Sequence, residues 1–188
     1  ATDAQAIISD IWSKEVRTIN NTYVLTANSK PEREIGYLVN PSYFSPAYYR
    51  IFAEVDTIHP WMELHASTYK TLSDITNAEV YGSGILIPNW VIVSYEGKVL
   101  SAIPYTDKKA GLYGYDAFRT YFRVAQDVIW YQENLAKKYL AKVAPIFKKQ
   151  WGTQEYLPAV SATNGNPQEN FPDSASAVGA LSVLYAIK

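Results

Sequence analysis

Apolar residues recur at helical spacing from the start of the chain: Ala4, Ile7, Ile8, Ile11, Trp12 and Val16 form one face, so an amphipathic helix is expected over 4–16. The pattern then lapses. Residues 17–45 carry Asn20, Asn21, Asn28, Pro31, Gly36 and Pro41 without a period and read as a long loop, with one short strand over 23–26. A loop of that length inside a compact domain is more often functional than idle. Ser45-Pro46 marks a helix start, Ser as the cap and Pro at the first helical position, and Tyr48, Tyr49, Ile51, Phe52 and Val55 continue its face.

A further helix is expected over 60–77, where Trp61, Leu64, His65, Tyr69, Leu72 and Ile75 share one side. Gly82-Ser83-Gly84 and Pro88-Asn89 break the pattern, and residues 90–103 read as a small hairpin turning at Glu96-Gly97. Residues 105–115, with Gly111 and Gly114, form another loop. Asp116 opens a helix through Phe118, Tyr121, Phe122, Ala125, Val128, Ile129 and Trp130, where an acidic residue suits the positive end of the dipole. Asn134 opens the next, through Leu135, Tyr139, Leu140, Val143 and Phe147, with Pro145 a kink point. A polar loop over 161–174 precedes a small-residue apolar helix over 175–187 suited to close packing. Paired helices alternating with long loops make the fold class all-α, with one small β-hairpin.

Charge and composition narrow the partners. With 17 Lys and Arg against 18 Asp and Glu in 188 residues, the net charge of -1 argues against nucleic acid, whose binding depends on clustered cations. The absence of Cys excludes a disulfide scaffold and a Cys-based zinc module. No run approaches the roughly 18 consecutive apolar residues of a membrane span. Ala1 is not followed by the basic and apolar segments of a secretory leader. The unusual figure is 16 Tyr beside 6 Phe and 5 Trp. A flat apolar ring with a hydroxyl suits a wet surface that grips sugars, although half-buried packing around helices accounts for such rings as well.

No P-loop, dinucleotide fingerprint, zincin helix or serine-hydrolase elbow is present. His59 and His65 stand six apart, too poorly aligned on a helix for a metal pair, and neither a metal nor a cofactor is expected. Asn20-Asn21-Thr22 is a formal glycosylation acceptor of a kind common by chance. The strongest constellation is Tyr113-Gly114-Tyr115-Asp116-Ala117-Phe118-Arg119. Two readings of it stand. In one, Asp116 caps a helix and Arg119, one turn on, is its ion-pair partner. In the other, Asp116 is a carboxylate base, Tyr115 orients a water or sugar hydroxyl, and Arg119 is the cation that holds the carboxylate.

This stretch resembles the Tyr-Asp-Ala-x-Arg motif of glycoside hydrolase family 8, whose Asp is the general base. Three other segments resemble the same family in the same order: Ile11-Trp12-Ser13-Lys14-Glu15-Val16, Asn40-Pro41-Ser42-Tyr43-Phe44-Ser45-Pro46 and Gly84-Ile85-Leu86-Ile87-Pro88-Asn89-Trp90-Val91. One departure is Asn89, where the family usually has Asp.

The resemblance implies a portion of an (α/α)6 barrel from a secreted or cell-surface enzyme, an endo-acting, inverting hydrolase of a β-1,4-linked polysaccharide such as cellulose, β-glucan or a biofilm exopolysaccharide. It implies Asp116 as the base, Tyr115 as the residue positioning water, and Arg119 as the group holding Asp116 and touching sugar. Tyr43, Trp90, Tyr113 and Phe171 are the candidate stacking surfaces. Inversion needs two carboxyl groups. The family's acid, a Glu in a Ser-Glu-Gly type motif, lies upstream, and no such triplet occurs in this chain. Twelve helices with their loops need on the order of 300 residues, so 188 residues are expected to be one middle-to-C-terminal portion of the catalytic domain, 1–188, lacking the N-terminal half. That half is expected in missing sequence or on a companion chain. Two other function classes remain: an inactive carbohydrate-binding or regulatory relative, and a purely structural helical domain.

Overall fold

The computed structural model describes residues 2–30, 34–169 and 171–188. Six helices carry the architecture: α1 (Thr2–Glu15), α2 (Pro46–Val55), α3 (Trp61–Asn77), α4 (Ala117–Tyr131), α5 (Asn134–Gln154) and α6 (Ser174–Ala186). All six expected helices are present. None of the described helices is long and apolar enough to cross a membrane. Helix α4 runs through the middle, packed on α2, α5 and α6, and its Tyr121, Val124 and Ala125 join Trp61, Leu64, Leu140 and Phe147 in the main core. The small residues of α6 admit close contact. A side chain at Gly179 would place its Cβ 3.0 Å from Phe118 Cβ.

The segment 17–45, read from sequence as a loop with one strand, contributes to three strands. β1 (Val16–Ile19) and β2 (Thr22–Leu25) pair antiparallel with Ile19 opposite Thr22. Asn20 and Asn21, both at positive φ of 47° and 58°, make the two-residue turn that matches strand twist. β3 (Gly36–Val39) pairs with β4 (Val91–Ser94), which pairs in turn with β5 (Val99–Ser101). The expected hairpin is therefore two strands of a three-stranded sheet whose middle strand is buried along its length. Gly36 is required there, because a Cβ at that position would lie 2.2 Å from Val93 O.

Two helix limits also differ from expectation. Helix α1 stops at Glu15 because Val16 begins a strand. Helix α5 passes through Pro145 and continues to Gln154; Ala141, whose carbonyl loses its partner to the proline, is exposed and can be solvated.

Candidate active site

Three pieces of chain meet at the start of α4: the 3-10 turn Pro41–Tyr43, the segment 88–90, and the first turn of α4 itself. The first is shaped by Asn40, whose side chain accepts the Ser42 N–H at 2.9 Å. Ser45 precedes α2 as expected but makes no side-chain cap; its hydroxyl instead accepts from Arg123 Nη1 at 2.7 Å, and the same guanidinium nitrogen reaches Tyr43 O at 3.2 Å. The middle piece is held by backbone bonds from Asn89 N to Leu112 O and from Trp90 N to Ala110 O.

Asp116 stands immediately before α4, yet its carboxylate caps nothing. The reading of Asp116 as a helix cap is thus corrected, while its ion pair with Arg119 is present. Oδ2 accepts the Trp90 indole N–H at 3.0 Å and Oδ1 pairs with an Arg119 guanidinium nitrogen. The Phe118 and Arg119 N–H groups that an Asp cap serves go to the backbone oxygens of Gly114 and Asp116, and the Ala117 N–H is taken by Asn89 Oδ1 at 3.0 Å. Each carboxylate oxygen accepts one fixed donor and retains a lone pair, which is what a base needs to receive a proton. Tyr115, next in the chain, is 53% exposed. Tyr43 meets Trp90 edge to face at a centroid distance of 6.2 Å. A groove of about 430 Å³ lies alongside, lined by Ile11, Leu25, Tyr43, Tyr48, Phe122 and Arg123.

Of the expected site residues, the structure brings together Asp116, Arg119, Trp90 and Tyr43, with Tyr115 adjacent. Tyr113 does not belong with them. It is 1% exposed, its ring packed against Tyr121 and Phe147 at 5.6 and 5.7 Å, so it cannot stack on a ligand. Phe171 is exposed, but its backbone contact is with Ala159 in the loop before α6 rather than with the Asp116 group. The idea that Tyr serves mainly wet surfaces holds for only part of the set: Tyr49, Tyr69, Tyr121 and Tyr139 are buried too. Burial pushes the hydroxyls of Tyr49 and Tyr121 above their usual range.

Sequence reasoning missed Arg123 and treated Asn89 only as a departure. A signal for Arg123 existed, since Arg119, Arg123 and Asp127 recur at four-residue steps on α4. Burial, with Arg119 nearby, lowers Arg123 from its ordinary value.

Asp127, also missed, anchors a buried network deeper along α4. It is 0% exposed and accepts from Arg50 Nε at 3.0 Å and Tyr69 OH at 2.5 Å, with His65 Nε2 at 2.8 Å. Burial alone would raise its pKa, but the hydrogen bonds from His65, Tyr69 and Arg50 outweigh burial and hold the carboxyl below the usual carboxylate range. Ligand atoms of His65, Asp127 and Glu133 lie within 4.8 Å of one another, a spacing open to a metal ion. The Arg50 guanidinium already bridges the two carboxylates, reaching Glu133 Oε2 at 2.5 Å, and supplies the positive charge. The group therefore ties α2, α3, α4 and the start of α5 together.

Comparison with known proteins accords with this geometry. Residues 1–185 match the family described as Glycosyl hydrolases family 8. Endoglucanase 2 of Ruminiclostridium josui is 31% identical over 149 residues, 78% of this chain and 28% of the relative. A beta-1,3-1,4-glucanase from Paenibacillus sp. X4 superposes with a TM-score of 0.79 at 20% identity, over 99% of this chain and 52% of that one. A GH8 endo-beta-1,4-glucanase from an Achatina fulica gut metagenomic library gives 0.76 at 20%, over 97% and 54%. The chain thus spans about half the length of these solved structures and 28% of the curated relative. Its helices are those of part of an (α/α)6 barrel.

Proposed function

The chain belongs to glycosyl hydrolases family 8, and from that premise we propose that it forms the middle-to-C-terminal portion of an endo-acting, inverting hydrolase of a β-1,4-linked glucan, with Asp116 as the base. The observation that carries the reading is the carboxylate of Asp116, fixed by Trp90 and Arg119 yet left with a free lone pair on each oxygen, beside a Trp90 ring that meets Tyr43 on the wall of the groove. In an inverting reaction this group takes a proton from water as the water attacks the anomeric carbon. A second carboxylic acid gives its proton to the departing glycosidic oxygen. We assign that acid to sequence outside residues 1–188. Tyr115 positions the water, Arg119 holds the carboxylate and contacts sugar, and Tyr43 and Trp90 form an edge against which a sugar ring rests. A polymer of this size meets its hydrolase outside the cytoplasm, so we take the enzyme to be secreted or held at the cell surface.

The test is Asp116→Asn in the intact protein, which keeps the shape of the side chain and removes its basicity. Release of new reducing ends from β-glucan should fall by at least about 10²-fold in kcat, with oligosaccharide binding retained. Near-normal turnover would move the base elsewhere. The first-formed anomer, read by proton NMR, should be inverted; a retained anomer would refute the two-carboxylate scheme.

A further inference from the structure

An Asp directly before a helix is among the best caps, because its carboxylate is drawn onto the unpaired N–H groups of the first turn. A base bonded in this way loses lone pairs to backbone and loses proton affinity. At α4 every one of the first three N–H groups has another acceptor. Ala117 N–H goes to Asn89 Oδ1 at 3.0 Å, Phe118 N–H to Gly114 O at 3.1 Å, and Arg119 N–H to Asp116 backbone O at 3.2 Å. Only the first of these is a side chain from outside the helix.

Asn89 is built for that task. Its Nδ2 donates to Lys109 O at 2.9 Å while its Oδ1 accepts from Ala117, so each end of the amide meets a partner of the opposite kind and the orientation is fixed. Its backbone N–H is bonded to Leu112 O, and the residue is buried. The next residue in the chain, Trp90, donates to the freed carboxylate.

We propose that Asn89 is a positioning residue: by accepting the Ala117 N–H it ties the start of α4 to the segment that carries Trp90, and so holds the Asp116 carboxylate against the Trp90 indole. This rests on the reading of Asp116 as the base. Removing the Asn89 acceptor leaves Ala117 N–H unpaired and unties the first turn of α4, which carries Asp116, from the segment that carries Trp90, so the carboxylate shifts off the indole and away from the reacting water.

The experiment compares the intact protein with Asn89→Leu, which has the same branching and no acceptor, with Asn89→Asp, which keeps an oxygen for Ala117 and loses the bond to Lys109, and with Asp116→Asn. kcat and KM on β-glucan are measured for each, alongside thermal unfolding. Asn89→Leu should lower kcat by about 10-fold or more with KM within about twofold of the parent, and Asn89→Asp should keep at least about fivefold more turnover than Asn89→Leu. A merely structural Asn89 would lower the melting temperature while leaving kcat per folded molecule unchanged. That outcome, or equal losses in the two Asn89 variants, overturns the inference. Should Asn89→Leu fail to fold, Asn89→Ala carries the same expectation without the bulk. If Asp116→Asn is itself active, the base assignment falls; if it is inactive while Asn89→Leu turns over normally, only the role of Asn89 falls.

Discussion

Replacing Asp127 by Asn removes one negative charge from the buried centre of the helical body and nearly nothing else. The wild-type carboxylate receives Arg50, His65 and Tyr69, and no part of it reaches solvent. An amide in its place offers one acceptor oxygen and turns an NH2 group toward one of these donors. Removing one partner of a buried ion pair costs roughly 3–5 kcal/mol. Arg50 keeps its bond to Glu133 and is partly exposed, so the expected loss is about 2–4 kcal/mol, equivalent to a fall in melting temperature of about 4–16 °C for a chain of this length.

The pH dependence separates this origin from simple misfit. The carboxyl is held below its ordinary 3.8, so its stabilisation is present above the unfolded value and is lost as pH falls through the lower folded value. Urea unfolding of wild type and Asp127→Asn should therefore show the full gap near pH 7 and a closing gap below about pH 4. A gap under about 1 kcal/mol at neutral pH, or one that stays constant into acid, would refute the charge-network account.

Two further outcomes follow from the site and its surroundings. Arg123→Met releases the hydrogen bonds that fix Tyr43 O and Ser45 Oγ, so KM on oligosaccharides should rise several-fold, about 3–10-fold, with kcat changed much less; an unaltered KM would detach Tyr43 from substrate binding. Tyr113→Phe removes a buried hydroxyl with no hydrogen-bond partner among the described residues, so urea unfolding should show stability unchanged or raised by up to about 1 kcal/mol, with unaltered kinetics, whereas a loss of binding would restore Tyr113 as a ligand contact.

The six helices were legible in the sequence because helical periodicity is local: Trp61, Leu64, His65, Tyr69, Leu72 and Ile75 share a face whatever lies opposite. The Tyr-Asp-Ala-x-Arg stretch likewise marked the start of α4, and with the other three segments it indicated the family. The strands β1 to β5 were harder to read. Each is three or four residues long, and β3 is a strand only because β4, more than fifty residues later, supplies its hydrogen bonds; the Glu96-Gly97 turn marked the β4–β5 hairpin and the short apolar run over 23–26 marked β2, while β1 and β3 left no run of their own. The fate of single side chains lay further still from the sequence. Tyr113 and Tyr115 are two residues apart in one motif, yet one is packed under α6 and the other is exposed, because α6 arrives from sixty residues downstream. The Ala117 N–H beside Asp116 is held by an amide from Asn89, 28 residues earlier. The sequence by itself determined which residues carry the charges and rings. The tertiary structure decided which donor each carboxylate meets, since a buried polar group is satisfied by whatever the packing brings within hydrogen-bond reach.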